Sequence, residues 1–307
     1  MALYDLVHYK HRLLQAFDTE PVLTELARLR YQLQNINSQR PDNQSFMESL
    51  LQQYDQLSDF VRNTEFQTQT QIKLIDQEIH EITQRLFAGN YELEERTGGF
   101  NNVRNGRRIS VNQDVENIIK QRILIFTNWR YPALEIGCRD GEWTQYMVAA
   151  DPLYITDSFT EFLESASSRF PEAYQRRLRR YPLTNHDLSA LPASQMSFVF
   201  SWGYFNYVSL DTMKQYLRQI YALLRPGGTF MFSYNDGDTP NGAGMAENFA
   251  QTYMPKSLLI PLCESLGFNV TADSNFETVA WLEISKPGQL STVKAHQVLG
   301  EIKRITV

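Results

Sequence analysis

Residues 133–159 read ALEIGCRDGEWTQYMVAADPLYITDSF, and no other stretch constrains this chain as strongly. An apolar run ends in Glu135 and Gly137, a turn closes at Gly141, a helix is expected from near Glu142, and a second apolar run ends in Asp157. Glycine in a strand-to-helix turn lets backbone come close to a ligand, and a helix N-terminus presents free N–H groups beside it. An acidic residue closing the second strand of a βαβ unit is placed to accept ribose hydroxyls. Lone glycines say little; strand, turn, helix and second acidic strand in register say much more.

The same alternation continues to the end of the domain. Strands are expected at Ala133 to Ile136, Leu153 to Thr156, Tyr181 to Asn185, Phe198 to Ser201, Thr229 to Tyr234, Asn269 to Thr271 and Thr278 to Ile284. An amphipathic helix opened by Asn112 or Gln113 precedes the first strand, and Leu210, Met213, Leu217, Ile220 and Leu224 mark another after the fourth, stopped by Pro226 and two glycines. The run Arg176, Arg177, Arg179, Arg180 reads as a charged helix face. Such alternation specifies a Rossmann-like, doubly wound α/β fold, a seven-stranded and mostly parallel sheet with helices on both faces.

Residues 1–95 are of another kind, and the expected fold class adds an α-helical coiled-coil region here. Val22, Leu26, Leu29, Leu33 and Ile36 recur in steps of four and three. Met47, Leu50, Tyr54, Leu57 and Val61 do the same, Thr64 and Thr68 weaken the pattern, and Ile72, Ile75, Ile79, Ile82 and Leu86 resume it after one extra residue. Ser45 with Glu48 suggests the start of a long helix and Gly89 with Asn90 its end. A long helix with one apolar stripe needs a partner helix, from the same chain, a second copy or another protein. The domains expected are a helical arm over 1–95, a basic linker or lid over 96–111, the α/β domain over 112–288 and a tail over 289–307.

Charge and composition narrow the class. Residues 1–95 hold eight Lys or Arg against fifteen Asp or Glu, residues 96–130 seven against two, and the remainder fourteen against eighteen, so the chain is acidic, then basic, then acidic. That disfavours a general nucleic-acid binder. The absence of an apolar run long enough for a bilayer, or of a signal-peptide core in MALYDLVHYKH, leads to expecting no membrane partner and a cytoplasmic location. Cys138 and Cys263 alone supply neither a disulfide framework nor a zinc ligand set, and no metal is expected.

Taken in order, five segments resemble motifs of the class I S-adenosylmethionine-dependent methyltransferases. ALEIGCRDG with its following acid resembles motif I; HDLSALP resembles the acidic segment after the third strand; MSFVFSWGYFNYV, YALLRPGGTFMFSY and GFNVTADSNFETVAWLEISKPG resemble the fourth strand, the fifth with its helix, and the antiparallel closing pair. The likeness covers roughly Gln113 to Gly288. It implies S-adenosyl-L-methionine as cofactor, held by Glu135, Gly137, Cys138, Gly141, Asp157, Ser158, Asp187, Leu188 and Ser201. Within that set Asp157 would accept the ribose diol, Asp187 the adenine amino group, and Leu188 would donate its N–H to the ring. Arg139 stands where the family commonly has glycine, Ser197 where an acid is frequent, and Asn206 or Tyr207 where some members carry histidine.

Methyl transfer from a sulfonium draws its driving force from the cofactor, so no catalytic triad is required. Tyr204, Asn206, Tyr207 and His186 are the candidates for orienting an acceptor or acting as base, and each also reads as a crevice-wall residue. Asp157 also reads as a helix cap for the segment starting at Phe159, Asp187 as an Asx turn, and Cys138 as small apolar filler. The acceptor is not specified by any motif. Two functions stay open at this level: a methyltransferase oligomerised or tethered to a protein partner by its arm, or a structural component of a larger assembly, such as a virus particle, whose methyltransferase-like domain lacks turnover.

Overall fold

In Ala133–Ile136 every residue is buried, as suits a strand covered on both faces, and this short run becomes the centre of the sheet. The computed structural model describes residues 2–39, 44–97, 109, 111–276 and 279–289. Seven strands, β1 (Ala133–Ile136), β2 (Leu153–Asp157), β3 (Leu178–Pro182), β4 (Met196–Ser201), β5 (Leu224–Tyr234), β6 (Asn269–Phe276) and β7 (Val279–Ser285), lie in the order β3-β2-β1-β4-β5-β7-β6. β7 is antiparallel to both of its neighbours and the remaining pairs are parallel. The doubly wound, mostly parallel sheet expected from the sequence is therefore present.

Helix α4 (Gln113–Phe126) is capped by the Asn112 side chain, which accepts the Val115 N–H at 2.9 Å. Its buried face, Val115, Ile119 and Ile123, joins Phe198, Phe200, Met231 and Trp281 on one side of the sheet. On the other side α7 (Leu210–Leu223) packs Met213, Leu217 and Ile220 against Val199, Phe230 and Phe232. Arg122 of α4 grips the buried carboxylate of Glu283 on β7 through both guanidinium arms, the Nε bond measuring 2.8 Å.

Two local expectations are corrected. Between β1 and β2 there is no α-helix from Glu142, only a 3-10 turn at Thr144–Tyr146, where Trp143 and Tyr146 turn toward the aromatic cluster of Phe200 and Trp202. The arginine run is not a helix face either. Arg179 and Arg180 lie exposed in β3, the outermost strand, where charge guards an open edge.

By contacts the chain divides into residues 1–85 and residues 86–307. In the first unit, α1 (Leu3–Ala16) and α2 (Glu20–Gln39) accompany the opening part of α3 (Gln44–Thr97). Lys10 pairs with Asp76 at 2.5 Å and Arg30 with Asp55 at 3.3 Å. Partners thus recede along α3 as α1 and α2 advance, so both run antiparallel to it within one chain. The covered stripe of α3 includes Leu51, Ser58, Glu65 and Thr68, and it keeps steps of four and three from Met47 to Ile82 without the extra residue expected from apolarity alone. Leu57, expected in the stripe, is exposed.

Helix α3 also passes Gly89 and Asn90 without stopping. In the second unit Asn90 is buried and clasps the backbone of Tyr253, donating to its carbonyl at 2.8 Å and accepting its N–H at 2.6 Å. A Cβ on Gly89 would stand 2.6 Å from the Phe249 ring. The Gly-Asn pair, which reads as a helix stop, serves close packing. Most of the basic segment (98–108 and 110) and the tail from 290 lie outside the described residues.

Candidate functional site

The chain winds outward from β1 to β3 and returns beside β1 as β4, so the C-terminal ends of β1 and β4 flank a topological switch point. Ser201 ties the two together there, its hydroxyl donating to the Ile136 carbonyl at 2.8 Å.

The turn after β1 is held by its own backbone. Gly137 and Cys138 donate N–H groups to the Thr156 carbonyl, and Gly141 donates to the Cys138 carbonyl at 2.8 Å. Gly141 has φ of 81°, and a Cβ there would lie 2.9 Å from Cα of Ala166 in α5 (Thr160–Ser168), so glycine is required on both counts. Arg139 adopts φ of 48°, a left-handed conformation that is costly for a residue with a Cβ. Its N–H donates to Asp157 Oδ2 at 3.0 Å, a charge-assisted bond that offsets the strain. Cys138 is buried in the core, which raises its thiol well above the usual range and leaves it no nucleophilic role.

Two carboxyls converge on this turn in different protonation states. Glu135 is buried, with Oε2 accepting the Thr144 hydroxyl at 2.5 Å. Burial outweighs that bond and, with Asp157 and Asp140 adding repulsion, pushes its pKa from 4.5 to about 8, so it carries a proton at neutral pH. Asp157 ends β2, accepting the Phe159 N–H on Oδ1 at 3.0 Å and the Arg139 N–H on Oδ2. Burial pushes it to about 6 against these bonds and that of Ser158, so it is mostly ionised at pH 7. A carboxylate has about four lone-pair sites. The N–H groups of Phe159, Arg139 and Ser158 engage three of them, so a vicinal diol would displace at least one of these donors.

Beyond β3 the arrangement differs from the expected adenine contacts. Asp187 accepts from the Ser189 N–H and hydroxyl at 2.8 Å each, an Asx turn that lowers its pKa. Leu188 N–H donates to Gln219 Oε1 at 2.7 Å, and Gln219 returns a bond to the His186 carbonyl. His186 Nδ1 lies 3.2 Å from the hydroxyls of Tyr204 and Tyr216, which bond to each other, and Nε2 lies 3.5 Å from Glu94 of α3. Burial holds both phenols above their ordinary range, so neither is ionised as a base at neutral pH.

Asn206 is buried, and its side-chain amide is spent on structure. Its amide donates to Gln251 at 2.9 Å and accepts from Ser233, whose hydroxyl oxygen in turn receives the Gly203 N–H. Tyr207 is buried in the same 3-10 turn, Phe205–Tyr207. The structure thus gathers Glu135, Gly137, Cys138, Gly141, Asp157 and Ser201 around the switch point and sets His186 with Tyr204 in a separate polar cluster. Glu94, Thr144, Tyr216 and Gln219 escaped the sequence reading. Helix periodicity could have suggested Tyr216; nothing local links Glu94 to His186, 92 positions away.

A family model described as a methyltransferase domain matches residues 134–230, from β1 into β5. The match lies within the α/β unit and covers about a third of the chain. Among solved structures, an S-adenosylmethionine-dependent methyltransferase from Mesorhizobium loti is 12% identical, with 55% of this chain aligned to 96% of that one at a TM-score of 0.46. The YcgJ protein from Bacillus subtilis is 10% identical, with 56% of this chain aligned to 97% of that one at 0.46. Geranyl diphosphate C-methyltransferase from Streptomyces coelicolor A3(2), solved with Mg2+, geranyl diphosphate and S-adenosyl-L-homocysteine, is 6% identical over 56% of this chain and 80% of that one at 0.47. No curated protein matches the sequence. Among the described residues, no helix is long and apolar enough to cross a membrane.

Proposed function

We propose that the α/β unit binds S-adenosyl-L-methionine over the C-terminal ends of β1, β2 and β4 and catalyses transfer of its methyl group to an acceptor. The observation that carries this reading is the Asp157 carboxylate, ionised at neutral pH at the end of β2, beside the glycine turn of a segment that matches a methyltransferase domain. Ribose hydroxyls would take the place of backbone donors on that carboxylate, and Gly137 and Gly141 let backbone approach the ligand. At the adenine end, Leu188 N–H and Asp187 would have to exchange Gln219 and Ser189 for the base.

When bound, the cofactor supplies an electrophilic methyl on a sulfonium. The chain's contribution is orientation and exclusion of water. Protonated Glu135 is neutral and adds no charge beneath the turn, whereas Asp157 provides the fixed acceptor. Both ring nitrogens of His186 face polar partners and the amide of Asn206 is engaged, so His186, Tyr204 and Asn206 serve as positioning residues, not as free bases. The helical unit acts in association, which would tether this chemistry to a partner.

Calorimetric titration with S-adenosylmethionine and S-adenosylhomocysteine tests the reading. Wild type should bind, and Asp157→Ala should weaken binding by about 2 kcal/mol, the scale of charge-assisted hydrogen bonds. Unchanged affinity in that variant would move the site elsewhere. Silence of wild type at millimolar ligand would favour a scaffold, in which the Arg139–Asp157 contact is permanent.

A further inference from the structure

Arg30 of α2 reaches Asp55 of α3, and its guanidinium also lies over the Tyr54 ring, 5.5 Å from its centroid. This pairing fixes which sides of the two antiparallel helices lie together. Around α2, Arg30 flanks the buried Leu26 on one side, and Val22, Leu29 and Ile36, each seven residues apart, flank it on the other. Around α3, Asp55 follows the covered stripe by one position, and residues 46, 53 and 60, with 50, 57 and 64, precede it by one. In an antiparallel pair, the sides that turn the same way about each helix face the same direction. Val22, Leu29 and Ile36 therefore share one surface with Phe46, Leu57 and Phe60, opposite the Arg30–Asp55 pair.

That surface is exposed and apolar. Phe46 and Phe60 are 64% and 67% accessible, and the four aliphatic residues 40–50%. Positions 46, 50, 53, 57, 60 and 64 hold Phe, Leu, Gln, Leu, Phe and Thr, so this side of an otherwise charged helix carries no charge from 46 to 64. We propose that this α2–α3 face docks on the same face of a second copy of the chain, giving a two-fold dimer.

Area and charge both favour a second copy. The two phenylalanines offer roughly 130 Å² each and the aliphatics roughly 80 Å² each, scaled from full side-chain areas. That is about 600 Å² per copy and about 1,200 Å² for the pair, the lower bound of stable interfaces. The α3 part of the face carries no charge, and on the α2 part Glu25 is neutralised by Arg28 at 2.6 Å, so the face meets its own copy without an unpaired like charge; two-fold pairing of one patch is the commonest oligomer symmetry. The face differs from the Ile72 to Leu86 seam, much of which is buried within the chain. The inference does not rest on methyl transfer.

Sedimentation velocity of the full chain from 1 to 100 µM tests it. The expected species has twice the 35.7 kDa chain mass. Leu57→Glu with Phe60→Glu should raise the dimer dissociation constant at least 100-fold, and the uncharged Leu57→Gln with Phe60→Gln at least 10-fold. Circular dichroism should show unchanged helicity. Phe66→Glu, at a residue equally exposed but away from this face, should leave the dimer intact. A chain that stays monomeric at 100 µM, so that the face awaits a different protein, overturns the proposal. So does a dimer that ignores both double variants or is broken equally by Phe66→Glu.

Discussion

A buried carboxyl that holds its proton leaves a signature in stability. Glu135 ionises near 4.5 in an unfolded chain and at about 8 in the folded one, so the folded state binds the extra proton between those values. Its contribution is complete below pH 4.5 and is lost as pH rises through 8. Glu135→Gln mimics the neutral form. At pH 8.5 the variant should melt above wild type by at least roughly 2–4 °C, the equivalent of about 1 kcal/mol, and the gap should close toward pH 5. A variant that melts below wild type at both pH values would show that Glu135 is ionised in the fold. The sequence made the acidic pair at 135 and 157 legible because each closes an apolar strand. It could not reveal that one is neutral and the other ionised, since this depends on Thr144, Arg139 and Phe159 meeting them in three dimensions. Leu188 shows the same limit: its N–H is claimed by Gln219, 31 residues later.

At the level of elements, two contacts join parts of the α/β unit that no local pattern connects. Asn90→Ala would strand the Tyr253 N–H and carbonyl in a buried setting, and should cost about 2–3 kcal/mol by denaturant titration. A loss below about 0.5 kcal/mol would mean that water replaces the amide. Arg122→Ala would leave Glu283 buried without its cation, and should destabilise by about 3–5 kcal/mol. Combining Arg122→Met with Glu283→Leu should recover most of that, because an apolar pair avoids desolvating two charges. Failure of the double change to recover would assign the cost to packing of the Arg122 stem. Most strand positions were legible from apolar runs, and β1 falls where expected, but β3 occupies Leu178–Pro182 and not the expected Tyr181 to Asn185. Glycine-based stops were not legible, since Gly89 and Asn90 look the same in sequence whether they end a helix or pack it.

Over the whole molecule, the sequence divides into a helical region and an α/β region, and the structure divides into two units. Ligand binding should act on the second alone. S-adenosylhomocysteine at 100 times its dissociation constant should stabilise that unit by about 2.7 kcal/mol, and substitutions at Leu57 and Phe60 should leave the gain unchanged. A gain that disappears with those substitutions would couple the two units. What the chain methylates was legible at no scale, because acceptor choice lies in surfaces without a motif. The central claim is that Asp157 receives the cofactor's ribose at the switch point. A crystal structure with S-adenosylhomocysteine measures it directly. The account predicts both ribose hydroxyls within hydrogen-bonding distance of the Asp157 carboxylate, with the glycine turn of 137–141 alongside. A ligand seated elsewhere, or a crevice still empty with the Arg139–Asp157 contact unchanged at saturating ligand, would contradict it.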